Sequence, residues 1–128
     1  MWLSLLAIGM GAAVGAWLRY GLSLWLNPVH GSLPLGTLAA NLLGGYVIGL
    51  ALAFFASRPE IPPQWRLFLV TGLLGGLTTF STFSAEVVDM LQRQQLGWGL
   101  LTIGLHLFGS LSMTAFGWWS WRVLRSLT

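Results

Sequence analysis

The chain of 128 residues is 55% hydrophobic and only 7% charged, with a formal net charge of +3. A soluble domain is nearer a quarter charged, so this chain cannot clothe itself in a solvated surface and reads as an integral membrane protein with almost no soluble part. All six basic residues are arginines with no cluster or stripe among them, which argues against nucleic-acid binding, and the lack of cysteine excludes disulfides, thiolate chemistry and cysteine-based metal sites.

Four apolar runs follow one another, each long enough for the roughly 20 helical residues that a bilayer core requires. The first span is expected over residues 2–26. Its run is too long for a cleaved signal peptide and has no basic leading segment, so it is expected to be retained. Asn27-Pro28 and the loop to Pro34 close it, and the second span follows over 35–56 until the charged, proline-rich SRPEIPPQWR ends it. The third span is expected over 67–89, before the polar QRQQ, and the fourth over 98–121, with Arg122 and Arg125 at its exit. Seven tryptophans (2, 25, 65, 98, 118, 119 and 121) sit near these ends, where indole rings prefer the headgroup level. No loop is long enough for a further domain. The whole chain is expected to be one all-α, four-helix membrane domain, with its function inside the membrane and both termini on one side.

With the termini inside, the inner side carries Arg58, Arg66, Arg122 and Arg125, and the outer side Arg93, with Arg19 toward the outer end of the first span. The positive-inside rule then leans toward termini inside by a few charges. Glycines recur at four-residue spacing, Gly11 with Gly15, Gly45 with Gly49, and Gly72 with Gly76. Such spacing brings helix backbones close where lipid offers no hydrophobic drive for association, and ordinary packing within the bundle accounts for any single pair. A tight bundle of four helices cannot both enclose a polar path and shield it from lipid, which argues for an oligomer, most simply a dimer.

Polar residues within the spans are costly and face a protein interior or a wet cavity. Here they are Arg19, Asn41, the hydroxyls from Thr78 to Ser84, His106, Ser110, Ser112 and Thr114. The set is rich in hydrogen-bond donors and has no carboxylate in mid-span, which suits a small anion better than a cation. A lone serine or threonine more often bonds back to its own helix. Asn41, in LAANLLGG, either clamps helices together or offers its amide to a solute. His106 has no second histidine or acid beside it and reads as a hydrogen-bonded packing residue; hydrolase and metal-enzyme readings fail for the same lack of partners. Glu86 and Asp89 read as solvated helix-end charges, with Arg93 near enough in sequence to pair.

The third span is the unusual one. Its segment GLLGGLTTFSTFSAE places Gly75-Gly76 beside Thr78-Thr79, which loosens the helix at a depth where irregular backbone survives only if buried or lining a cavity. Freed carbonyls there could cage a cation such as Na+, or the site could be a simple kink. Phe80 and Phe83 share a helical face, and the positive edge of a ring can meet an anion, although phenylalanines at this spacing are usually packing.

GAAVGAWLRYGLS, GTLAANLLGGYVIG and GLLGGLTTFSTFSAE resemble, in order, the signature segments of the Fluc/CrcB fluoride channel family; the fourth span matches mainly in character. The resemblance implies a broken third helix and an antiparallel, dual-topology homodimer in the cell (inner) membrane, enclosing two fluoride pores. It implies a structural, untransported Na+ at the interface, held by main-chain carbonyls that map to Gly75 and Thr78. It maps pore-lining roles to Asn41, Phe80 and Phe83, and a polar track to Ser81 and Thr82, with Ser110 and Thr114 added from the fourth span. Arg19 matches the arginine of the first-span motif. The implied activity is passive fluoride export, driven by the membrane potential and by acid trapping of HF. Dual topology expects balanced arginines, which the inside bias fits imperfectly. Two rivals remain, a small dual-topology proton-coupled drug exporter and a non-transporting assembly subunit. The exporter needs a membrane-embedded carboxylate, which the first span lacks.

Overall fold

The computed structural model describes residues 1–128, and every regular element in it is helical. Helix α1 (Trp2–Leu26) ends in a short turn, Asn27–Val29, and α2 runs over Leu35–Ser57. Helix α3 covers 63–77. It starts at Pro63–Arg66, widens to π-helical hydrogen bonding over Leu67–Leu74 and tightens again at Gly75–Leu77. Helix α4 (Phe80–Gln92) continues the third span, and α5 (Leu96–Ser126) forms the fourth. Four stretches are long and apolar enough to cross a membrane: Trp2–Val29, Leu35–Ser57, Pro63–Gln92 and Leu96–Ser126. The protein is therefore a multi-pass membrane protein. The helices run past the apolar cores into their polar flanks, because a helix satisfies its own backbone on both sides of the membrane boundary.

Local chemistry explains the joints. Asn27 Oδ1 accepts the Gly36 N–H at 2.7 Å, tying the end of α1 to the start of α2. His30 Nδ1 accepts the N–H groups of Ser32 and Leu33 at 3.1 and 3.0 Å, closing the same connection. Pro63 opens α3, at a position where a missing N–H costs nothing. Between α4 and α5, Gln94 adopts φ 59° while Gln95 N–H reaches Met90 O and Gln94 N–H reaches Leu91 O. This is a Schellman end with a glutamine where glycine is the usual occupant.

The helices pair as α1 on α3 and α2 on α5, with α4 also against α5. Few large side chains mediate these contacts: the buried apolar residues are Leu33, Leu38, Ala40, Ala51, Ala53, Leu74, Leu77, Val87 and Met90. Backbone meets backbone instead. Gly11 and Gly15 face the main chain of Phe68–Leu77, while Gly72 and Gly76 face that of Ile8–Ala12. Gly49 and Gly117 do the same between α2 and α5, and Gly45 lies against Ser110 and Thr114. All three glycine pairs of the sequence thus pack within one chain. Without a solvent-driven hydrophobic effect, close backbone approach and dispersion hold such a bundle together.

Candidate functional site

The third span is interrupted by two residues. Thr78 (φ −84°, ψ 151°) and Thr79 (φ −149°, ψ 115°) are extended between α3 and α4. Asn41 of α2 holds this point. Its Oδ1 accepts the Thr79 N–H at 2.8 Å and its Nδ2 donates to Thr79 O at 3.1 Å, so one amide satisfies both main-chain groups of Thr79. Because the Thr79 N–H can only donate, the orientation of the Asn41 amide is decided. Nδ2 therefore also faces His106 Nδ1, 2.9 Å away, and the imidazole nitrogen must accept. The neutral ring then carries its proton on Nε2, which is buried and meets no protein acceptor.

Of the two uses open to Asn41, the geometry shows the clamp, with both N–H groups engaged inside the protein. Thr79 in turn caps α4, its Oγ1 accepting the Thr82 N–H at 3.1 Å. Thr78 bonds back, Oγ1 to Leu74 O, at 2.7 Å.

These bonds redirect donors. In a continuous helix Gly75 O would accept from Thr79 N–H, which goes to Asn41, and Thr78 O would accept from Thr82 N–H, which goes to Thr79 Oγ1. Neither carbonyl keeps its helical partner. Between them, Gly76 O accepts from Arg19 Nε at 3.0 Å. Arg19 is therefore half-buried at the end of α3 and does not count as a loop charge, so the arginine bias between the two membrane sides is wider than the sequence count that included it.

A cleft of about 430 Å3 opens beside the interruption, lined among others by Asn41, Gly75, Thr78, Phe80, Phe83, His106 and Ser110. Phe80 and Phe83 meet edge to face at 5.6 Å, and Phe83 lies over His106 at 4.5 Å. Phe80 is 80% exposed, so its ring is turned away from its own chain. The sequence-expected residues divide. Asn41, Phe80, Phe83, Ser110, Gly75 and Thr78 are brought together at the cleft, whereas Ser81, Thr82, Thr114 and Arg19 are not among its lining. Ser81 Oγ lies 3.2 Å from Thr79 Oγ1, and Thr114 Oγ1 donates to Ser110 O at 2.9 Å, the back-bonding expected of a lone threonine.

His106 is the hydrogen-bonded packing residue that the sequence suggests, while Thr37 carries no signal there. His106 is buried and joins Asn41 to Phe83. It precedes Ser110 by four residues, and Ser110 precedes Thr114 by four, so the three share one face of α5. That spacing was the available signal. Thr37, one turn before Asn41 on α2, is 1% exposed and donates to Glu86 Oε1 at 2.6 Å. Glu86 is consequently no solvated helix-end charge: it is half-buried, and its Oε2 is buried without a partner. The pull came from Thr37, a contact across helices that no local pattern reveals. Asp89 does pair with Arg93, at 3.0 Å on the exposed surface. Glu86, Asp89, Arg93, Asn27 and His30 line a smaller polar cleft of about 250 Å3 at the end of the third span.

The family described as "CrcB-like protein, Camphor Resistance (CrcB)" matches residues 6–118. The chain is 58% identical over 118 residues to a protein of Cupriavidus metallidurans named Fluoride-specific ion channel FluC, covering 92% of this chain and 94% of that one. It is 61% identical over 114 residues to the protein of that name in Pseudomonas putida, covering 89% and 90%. The figure is also 61% over 120 residues for that of Thiobacillus denitrificans, covering 94% and 97%. With residues 6–118 matched and such relatives aligned nearly end to end, the chain belongs to the CrcB-like family, whose members here bear the name of a fluoride channel.

Proposed function

We propose that the chain is a fluoride-selective channel that passively exports fluoride from the cytoplasm across the cell (inner) membrane. The observation that carries this reading is the nearly end-to-end alignment, at 58–61% identity, with proteins named Fluoride-specific ion channel FluC. The site's chemistry supports it. Stripping water from a small, strongly hydrated anion is costly, so its path must supply compensating groups. The cleft offers ring edges at Phe80 and Phe83 and the Ser110 hydroxyl. Asn41 contributes by holding these groups in place, since its own donors are engaged. A negative interior drives an anion outward by about 2.3 kcal/mol per 100 mV, so no pump is needed.

The finer architecture belongs to the same proposal. The working unit is an antiparallel, dual-topology homodimer in which the interruption at Thr78-Thr79 is the functional break of the third helix. Phe80 and Gly75, both exposed in the single chain, support a partner on that face. A structural Na+ fits the donor set: the carbonyls of Gly75 and Thr78 have lost their helical donors and would hold it, together with the same groups of the second subunit. The ion supplies fixed positive charge near the anion path. Ser81, Thr82 and Thr114 extend the polar lining once two chains are joined, and Arg19 steadies the end of α3. A proton-coupled drug exporter is disfavoured because the first span carries no carboxylate and Glu86, the one half-buried carboxylate, lies in the polar cleft at the end of the third span.

The test is efflux from liposomes holding purified protein, fluoride against chloride, with Na+ present or replaced by a large organic cation. Fluoride efflux that far exceeds chloride and fails without Na+ is expected. Equal efflux of the two anions refutes the selectivity, and full activity without Na+ removes the cation from the proposal.

A further inference from the structure

Where α2 and α5 finish, a cleft of about 690 Å3 lies between Ser57, Arg58, Trp121, Leu124, Arg125 and Thr128. Its wall is fixed: Trp121 Nε1–H donates to Ser57 Oγ at 3.3 Å, and the indole packs edge-on against Phe54 at 5.1 Å. Arginines at a helix C-terminus can bond the last free carbonyls. Here hydroxyls take that place. Ser57 donates to Phe54 O, Ser126 to Val123 O and Thr128 to Arg125 O. The guanidiniums are left over. Arg19 is the arginine whose side chain donates to a protein carbonyl, Arg93 pairs with Asp89, and Arg58 meets only Glu60, at 3.6 Å with both side chains more than half exposed. Arg125 has no partner.

This end of the molecule carries the side chains of Arg58, Arg66, Arg122 and Arg125 against one acidic side chain, Glu60. At the other end the one arginine, Arg93, pairs with Asp89 at 3.0 Å and has Glu86 nearby, so acids outnumber it.

We propose that this cleft binds the phosphate of an anionic phospholipid headgroup, with Arg58 and Arg125 as its donors. Guanidinium forks match phosphate oxygens two at a time, and basic pockets between transmembrane helices at the membrane surface take such headgroups. The lipid, as opposed to a free phosphate, is favoured by the apolar part of the wall. Leu124, 54% exposed, and Trp121 offer a surface for the glycerol and upper acyl chain at the depth where indole rings rest. The site is separate from the interrupted third span and stands whether or not fluoride is the transported ion.

The experiment is native mass spectrometry of the full chain in detergent, titrated with dioleoyl phosphatidylglycerol or dioleoyl phosphatidylcholine. The wild type should retain phosphatidylglycerol in clear preference. The double variant Arg58→Gln/Arg125→Gln should bind it about 30-fold more weakly, as expected for two basic groups near an anionic headgroup. Arg66→Gln/Arg122→Gln, which removes the same charge from the same end, should lose less than about threefold, the reach of screened charge at a distance. Equal retention of the two lipids by the wild type overturns the site without recourse to any variant. Equal losses in the two double variants reduce it to diffuse charge. Displacement of the lipid by millimolar inorganic phosphate, with the same arginine dependence, overturns the assignment to a lipid.

Discussion

Gly75 and Gly76 are neighbours on α3, yet they stand on opposite kinds of surface. A Cβ at Gly76 would run into the backbone of Ala12 on α1, whereas one at Gly75 would meet nothing nearer than Val70 O at 4.0 Å. The α1-facing side of the third span is completed by its own chain, through main-chain contacts that admit no side chain. The other side, with Gly75 and the 80% exposed Phe80, is left open. The same residue type therefore reports packing in one place and, in the proposed dimer, a surface awaiting a partner in the other.

The largest effect expected from this contrast is at Gly76. Gly76→Val forces α1 and α3 apart and should cost about 3 kcal/mol or prevent recovery of folded protein, since the obstacle is backbone and cannot rotate away. Gly75→Val should fold as a chain but lose dimer on size exclusion, and fluoride efflux with it. Similar yields and melting points for the two variants would erase the distinction between the faces.

Asn41→Ala comes next. It strips partners from both main-chain groups of Thr79, which at about 1–3 kcal/mol for each buried unsatisfied group predicts a loss near 3 kcal/mol. Asn41→Asp keeps an acceptor for the Thr79 N–H but sets a carboxylate oxygen against Thr79 O and His106 Nδ1, and should be no more stable than Asn41→Ala. Thermal melting in detergent measures both, and a melting point unchanged in Asn41→Ala would rule out the clamp.

The phenylalanines test the two faces through side chains. Phe83 contacts His106 and Phe80 contacts little of its own chain beyond Phe83. Phe83→Ile should therefore lower both fluoride efflux and protomer stability, the latter by about 1 kcal/mol for the lost ring contact. Phe80→Ile should lower efflux sharply and leave stability within about 0.5 kcal/mol, as for a surface change. Unchanged efflux in both would return the pair to packing.

The smallest effect lies away from both faces, at the αL position of Gln94. Gln94→Gly should raise stability by about 0.5–1 kcal/mol with no change in efflux. It calibrates the melting assay against a change that touches neither face.

Much of this was legible in the residues alone. Hydropathy and helix length are additive, local properties, so four spans and their order followed from composition, and the Gly-Gly and Thr-Thr dipeptides marked where the third helix is weak. Phe80, Phe83 and Asn41 stand out by their neighbours in the sequence, and the fold brings the three to one cleft. What depended on tertiary structure was which partner each polar group finds. The sequence held Asn41 as clamp or as donor to a solute, and only the approach of Thr79 and His106 supplies the partners of a clamp. Glu86 reads as a solvated terminus until Thr37, 49 residues away, reaches it at 2.6 Å. Arg19 reads as an outer charge until Gly76 O takes it, and Gly75 and Gly76 are alike until α1 is placed against one of them. Hydrogen bonds between spans join residues far apart in the chain, and each carries strong directional demands in a medium without water to substitute. Periodicity can name the groups that need partners, but the packing of the helices chooses them.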